Sequence, residues 1–238
     1  MKKAIITCAA AIAAVSGGAR AQTAPEHELS YNVGVVSDYR FRGVTQTDSK
    51  AALQGGIDYT HTPSGFYAGT WASTITWIDD AGGDGNLEID LYGGKAGEFG
   101  NGLSYDFGGL AYIYPGNDFE SVGMEDANTF EIYGQLGFGP AYIKYSHAVT
   151  DLFGVPNSDG SGYLDVGADF EIGGGYILNL HAGHQSVANN AGDYTDWKLG
   201  VTKDFGVVEA SLAVIGTDIK PETKGTKNRL VLAVSKSF

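Results

Sequence analysis

Apolar and polar residues alternate along almost the whole chain with a period of two, the signature of strands with one polar and one apolar face. Near the start Leu29, Tyr31, Val33, Val35, Tyr39 and Phe41 share one register, and Ser30, Asn32, Asp38, Arg40 and Arg42 the other. Leu53, Ile57 and Tyr59 oppose Gln54, Asp58 and Thr60, and then Tyr67, Trp71 and Ile75 oppose Ala68, Thr70 and Thr74. The pattern continues through 87–92, 103–114, 130–136, 143–146, 163–170, 176–181, 196–202, 208–214 and 229–238, which predicts about twelve strands.

The connections sort by length. After the even strands they are short ("HTPSG", "GFGP", "IGGG", "DFG"), and after the odd strands they are long ("TWIDDAGGDGN", "PGNDFESVGMEDAN", "VTDLFGVPNSDGSG"). Short turns on one rim and long loops on the other describe an up-and-down antiparallel β-barrel of the outer-membrane type, with both termini at the short-turn rim. A soluble sandwich or lipocalin-like barrel has no reason to sort its connections in this way.

The N-terminus adds a compartment. Lys2 and Lys3, the apolar run AIITCAAAIAAV and Ala19-Arg20-Ala21 form a secretory signal peptide, residues 1–21, leaving 22–238 as a single barrel domain. The one cysteine, Cys8, lies inside that segment, so no disulfide is expected in the mature chain. Export and a barrel together predict the bacterial outer membrane. The formal net charge of −13 argues against a nucleic-acid partner, which would demand basic patches.

The faces follow from charge. Asp and Glu are missing from the apolar register, as a lipid-facing surface requires, because a carboxylate in hydrocarbon is costly. The lysines of that register, Lys95, Lys203 and Lys236, fall near the short-turn rim, where their stems can snorkel. Tyr31, Tyr59, Phe170, Phe205 and Phe238 read as an aromatic girdle at that rim, and Tyr39, Phe41, Trp77 and Trp197 as the opposite girdle. The polar register then lines the lumen: Asp38, Arg40, Arg42, Asp58, Glu88, Asp90, Asp106, Glu131, Lys144, Asp165, Asp169, Asp196, Lys198, Glu209 and Arg229, with the tyrosines Tyr92, Tyr112, Tyr133 and Tyr163. Acids outnumber bases there, which predicts a narrow, net-acidic bore for small solutes or ions, with Arg40 and Arg42 pairing across it.

The stretches "SDYRFRGVTQT", "GFYAGTWAS", "EIDLYGG", "LSYDFG" followed by "YIYPG", and "YTDWKLGVTKDFG" also carry a resemblance. The chain resembles the TorF family of bacterial porins, long labelled conserved hypothetical proteins, from about Leu29 to Phe238. The resemblance implies an outer-membrane barrel and passive transport. It brings no catalytic, cofactor or metal residues with it.

Other classes find less support. His27, His61, His147, His181 and His184 are not spaced with a serine nucleophile, so catalysis is not expected, and no cofactor or metal is assigned. A rim-located lipid-modifying enzyme is the weakest alternative, and a non-conducting structural or adhesive barrel the stronger one. The expected partners are outer-membrane lipid and lipopolysaccharide; the loop acids Asp79, Asp80, Asp84, Glu125 and Asp126 read first as solvated charge and second as a divalent-cation bridge to lipopolysaccharide.

Overall fold

The computed structural model describes residues 25–189 and 192–238; the expected signal peptide, 1–21, lies outside the described residues. Its long strands are β1 (His27–Val36), β4 (Ala52–His61), β5 (Phe66–Thr74), β6 (Leu87–Glu98), β7 (Leu103–Ile113), β8 (Thr129–Phe138), β9 (Ala141–Ala148), β10 (Gly162–Gly173), β11 (Tyr176–Ser186), β12 (Tyr194–Asp204), β13 (Glu209–Thr217) and β14 (Arg229–Ser237). Two short strands, β2 (Arg40–Phe41) and β3 (Val44–Thr45), form a separate hairpin.

The twelve long strands close into one antiparallel barrel, each paired with its chain neighbours, and β1 pairs with both β4 and β14. Closure removes the sheet edges, so the backbone groups of every strand find partners within the wall. Phe238 N–H donates to the Tyr31 carbonyl at 2.9 Å, fastening the last residue to the first strand. The turns at 62–65, 99–102, 139–140, 174–175 and 205–208 crowd one rim, and the longer loops occupy the other. This is the barrel that the alternation and the loop lengths predict.

The outer surface is apolar: Leu29, Val33, Ile57, Leu91, Ile132, Ile143, Leu164, Val166, Leu199, Leu212 and Leu232 are all exposed on it. The short-turn girdle forms as expected, with Tyr31, Tyr59, Phe170, Phe205 and Phe238 exposed. Each outward lysine caps an aromatic ring there: Lys203 Nζ lies 3.8 Å from the Tyr176 ring centre, Lys236 Nζ 4.9 Å from that of Phe238, and Lys95 Nζ 5.2 Å from that of Phe66.

The opposite girdle requires correction. Of its four expected members only Trp197 is exposed to the outside. Tyr39, Phe41 and Trp77 pack inside the barrel, against a core of Ile75, Ile78, Leu110, Tyr112, Tyr114, Phe119, Ala127 and Tyr133. The cause lies at Ser37, where the chain leaves the wall after a last bond from Ser37 N–H to the Leu232 carbonyl, 2.8 Å. It then turns back through Arg42 (φ 45°) and Gly43 (φ 80°), the two positive φ angles of a tight hairpin whose twist matches its strands. The faces of β5 are also reversed from expectation. Tyr67, Trp71 and Ser73 point inward and Phe66, Ala68 and Thr74 outward, because the loops fold inward and give the large rings apolar partners there.

The abundance of glycine and tyrosine has a common origin inside the wall. A Cβ at Gly69 would meet the ring of Tyr92, at Gly94 that of Tyr67, at Gly108 that of Tyr133, at Gly167 that of Tyr142, and at Gly183 that of Tyr163. Each inward ring lies flat over a bare stretch of neighbouring backbone, covering it as a side chain otherwise would.

Candidate functional site in the barrel lumen

The lumen divides into two halves. Toward β5–β9, residues from four long loops fill it: Tyr39 and Phe41 from the first, Ile75, Trp77 and Ile78 from the second, Phe119 and Met124 from the third, and Phe153 from the fourth. Ile78 belongs to the one-turn helix α1 (Trp77–Asp80) and is fully buried. The rings meet edge to face, as aromatic quadrupoles prefer: Phe41 with Tyr112 and with Phe153, both at 5.5 Å, and Trp77 with Phe119 at 5.2 Å. Toward β1 and β9–β14 a cavity of about 330 Å³ remains, running up the wall to the β2–β3 hairpin.

The hairpin is held at several points. Arg42, at its tip, reaches across the lumen to Glu131 on β8, donating through Nη2 at 2.8 and 2.7 Å, and to Gln185 Oε1 on β11 at 2.6 Å. The Tyr112 hydroxyl donates to Glu131 at 3.3 Å, and the guanidinium lies over the rings of Tyr163 at 4.3 Å and Phe41 at 4.7 Å. Arg40 does not cross the lumen. Its Nε donates to Asp38 at 2.8 Å, and its Nη1 to the carbonyls of Gly43 at 2.9 Å and Lys227 at 3.1 Å. Thr45 also donates to Asp38, and Arg229 approaches it at 4.0 Å. The expected pairing across the bore therefore belongs to Arg42 alone. Thr45 N–H donates to the Gly225 carbonyl at 3.1 Å, and Lys224 Nζ to Asp48 at 2.7 Å, docking the first loop on the last. The Lys224 ammonium beside it holds the half-exposed Asp48 carboxyl below the usual carboxylate range.

On the packed side, carboxylates are tied to tyrosines. Tyr39 Oη donates to Glu88 at 2.8 Å, Tyr67 Oη to Asp106 at 2.6 Å, and Tyr92 Oη to Asp58 at 2.5 Å. Tyr67 and Tyr133 share a further hydroxyl contact, and Lys144 Nζ lies over the Tyr133 ring at 4.1 Å. Asp90 is half-buried on the same face as Glu88, and its Oδ1 makes no hydrogen bond among the described residues.

The cavity side carries a second network. His181 on β11 stands between two carboxylates, Nδ1 at 2.9 Å from Asp165 and Nε2 at 2.7 Å from Asp196. Tyr163 Oη donates to Asp196 at 2.8 Å, Asn179 to Asp169 at 2.7 Å, and Thr202 to Asn179 at 2.7 Å. Lys198 and Glu209 line the cavity nearby. Asp38, Asp165, Asp169 and Glu209 thus share the cavity wall with Arg40, Arg42, Lys144, Lys198 and His181. The other inward carboxylates, Asp58, Glu88, Asp90, Asp106, Glu131 and Asp196, are not among the residues of that wall.

Of the residues assigned to the lumen from the pattern, Asp90 joins neither these networks nor the cavity wall; each of the others makes one of these contacts or lines the cavity. Tyr142 and Gln185, which the pattern does not single out, join them, as do Tyr39, Tyr67 and His181, which it does not assign to the lumen. The period-two pattern puts Tyr39 and Tyr67 on the outside; the hairpin that follows Ser37 and the inward-folded loops bring both inside. His181 falls on the polar side of the 176–181 pattern and Gln185 lies beyond it, and the partners of both depend on strand register.

A closed barrel with twelve antiparallel strands and an apolar belt is the architecture of an outer-membrane β-barrel. The chain belongs to the Gcw_chp family, described as a bacterial protein of unknown function, whose model matches residues 20–238. Among solved structures it is similar to the KdgM porin, with a TM-score of 0.57 and 9% sequence identity over 88% of this chain and 98% of that one. It is also similar to the NanC porin, with a TM-score of 0.55 and 11% identity over 87% of this chain and 98% of that one. At such identities the likeness establishes the fold alone. No curated protein matches the sequence.

Proposed function

We propose that this chain is a porin of the bacterial outer membrane, exported by its signal peptide, that lets small polar solutes diffuse through the unfilled half of its lumen. The observation that carries the proposal is the cavity of about 330 Å³ inside a closed wall, lined by both signs of charge and overhung by the β2–β3 hairpin. That volume suits a solute of a few heavy atoms up to a small sugar or amino acid. The resemblance to the TorF porins supports the same reading. The inward register is net acidic as a whole, but its carboxylates off the cavity wall are, Asp90 apart, bonded to tyrosines. The path itself therefore presents interleaved charge, which favours solutes that are neutral or carry both signs over those with a strong charge of one sign. The apolar belt faces lipid, and the loop acids offer divalent cations a bridge to lipopolysaccharide.

Liposome swelling tests the proposal. Vesicles holding the folded chain should swell faster than empty ones in glycine and small neutral sugars, with the rate falling steeply as solute size rises. Swelling no faster than in empty vesicles for every solute would overturn it in favour of a structural or adhesive barrel.

A further inference from the structure

A cluster at the short-turn rim, remote from the lumen networks, has the composition of a metal site. His27 opens β1, His61 closes β4, and the two are direct cross-strand partners. Their rings lie 5.1 Å apart between centres, inclined by 31°. Glu26 precedes His27, and its carboxylate Oε1 is 3.5 Å from His61 Nε2. One donor atom from each of the three residues lies within 4.8 Å of the other two.

The backbone that carries these donors is fixed. Thr62 N–H donates to the Glu26 carbonyl at 3.0 Å, and Thr62 Oγ1 to the Pro25 carbonyl at 2.8 Å, extending the β1–β4 pairing past the strand ends. The rings are oriented as well. His27 Nδ1 is bonded to the Tyr59 hydroxyl at 2.7 Å, and His61 Nδ1 to Ser64 Oγ at 2.6 Å. A hydroxyl engaging one ring nitrogen leaves Nε2 as the donor for a metal, the usual outer-shell arrangement of a ligating histidine.

We propose that Glu26, His27 and His61 bind a divalent transition metal, of which zinc is the best fit. Two imidazoles and a carboxylate form a borderline donor set that suits zinc, nickel or copper, and three protein ligands leave a further position for water. Metal–nitrogen bonds of about 2.0–2.1 Å place tetrahedral donors about 3.3 Å apart. The side chains of Glu26 and His61 are 69% and 30% exposed, so modest rotation closes the remaining gap. A bound ion would staple the segment entering β1 to the end of β4. The site is independent of transport through the lumen.

The test uses the folded chain in detergent, carrying no polyhistidine tag, titrated with zinc chloride by calorimetry. One zinc per chain is expected, with His27→Gln and His61→Gln each weakening binding about a hundredfold and Tyr59→Phe about tenfold through the lost orienting bond. His147→Gln and His184→Gln should leave it unchanged. Glu26→Gln keeps the backbone pairing intact and should weaken binding without altering the heat-modifiable gel shift that reports a folded barrel. Zinc binding that is absent in the wild type, or as strong in the Glu26→Gln and His61→Gln variants as in the wild type, would overturn the assignment.

Discussion

Arg42→Ala removes the strut that holds the hairpin tip across the lumen. The Arg42 and Glu131 side chains are only 6% and 2% exposed, and the guanidinium makes three hydrogen bonds of 2.6–2.8 Å to Glu131 and Gln185. Removing one member of a buried, hydrogen-bonded charge pair costs about 3–5 kcal/mol, since the other charge is left without compensation. At about 1.4 kcal/mol per factor of ten, the ratio of docked to undocked hairpin should fall on the order of a hundredfold or more. Arg40, Thr45 and the Lys224–Asp48 contact still hold the base of the loop, so the tip should swing while its root stays attached. Single-channel recording in planar bilayers should show larger or more frequent openings than wild type. Adding Glu131→Gln, which removes the stranded carboxylate, should recover folding yield without restoring the wild-type conductance. A conducting channel whose amplitude and gating are unchanged by Arg42→Ala would refute the strut.

Gly43→Ala should act in the same direction. Its φ of 80° disfavours a side chain, and a Cβ there would come within 2.5 Å of Thr217 Cγ2 and 2.6 Å of Asp196 Cβ, so a loss of about 1–3 kcal/mol in hairpin docking is expected. Faster cleavage of the first loop by added protease would report it, and unchanged cleavage would contradict it. Val166→Arg puts a charge on the lipid face of β10 and should destabilise the barrel by about 2–4 kcal/mol in urea titrations of folding into vesicles. A cost below about 0.5 kcal/mol would mean that this face does not meet hydrocarbon.

The wall was legible in the sequence because period-two alternation and loop length are local properties. A residue such as Val166 announces its face by its neighbours Asp165 and Gly167. The interior was legible only in part. In "SDYRFRG" the alternation runs on past Val36, and the signal that ends it is the Arg42-Gly43 turn, which a continuous strand reading passes over. Tyr67 and Trp71 look lipid-facing because large rings usually are in such barrels. They point inward here because the first loop brings Tyr39 against Trp71, with ring centres 5.5 Å apart. Contacts such as Arg42 with Glu131, or His181 between Asp165 and Asp196, join residues whose proximity follows from register and loop path. Charge pattern alone does not encode them.

The central claim is that solute passes through the half of the lumen walled by β1 and β9–β14. The most direct test places a cysteine at Ser211, on the cavity wall, in a mature chain that has none because Cys8 lies in the expected signal peptide. Conductance is then recorded before and after a bulky thiol reagent is added from the short-turn side, with Leu110→Cys in the packed half as the comparison. The account predicts that modification blocks the Ser211→Cys channel and leaves the Leu110→Cys channel unaffected. Undiminished current through fully modified Ser211→Cys protein would contradict it.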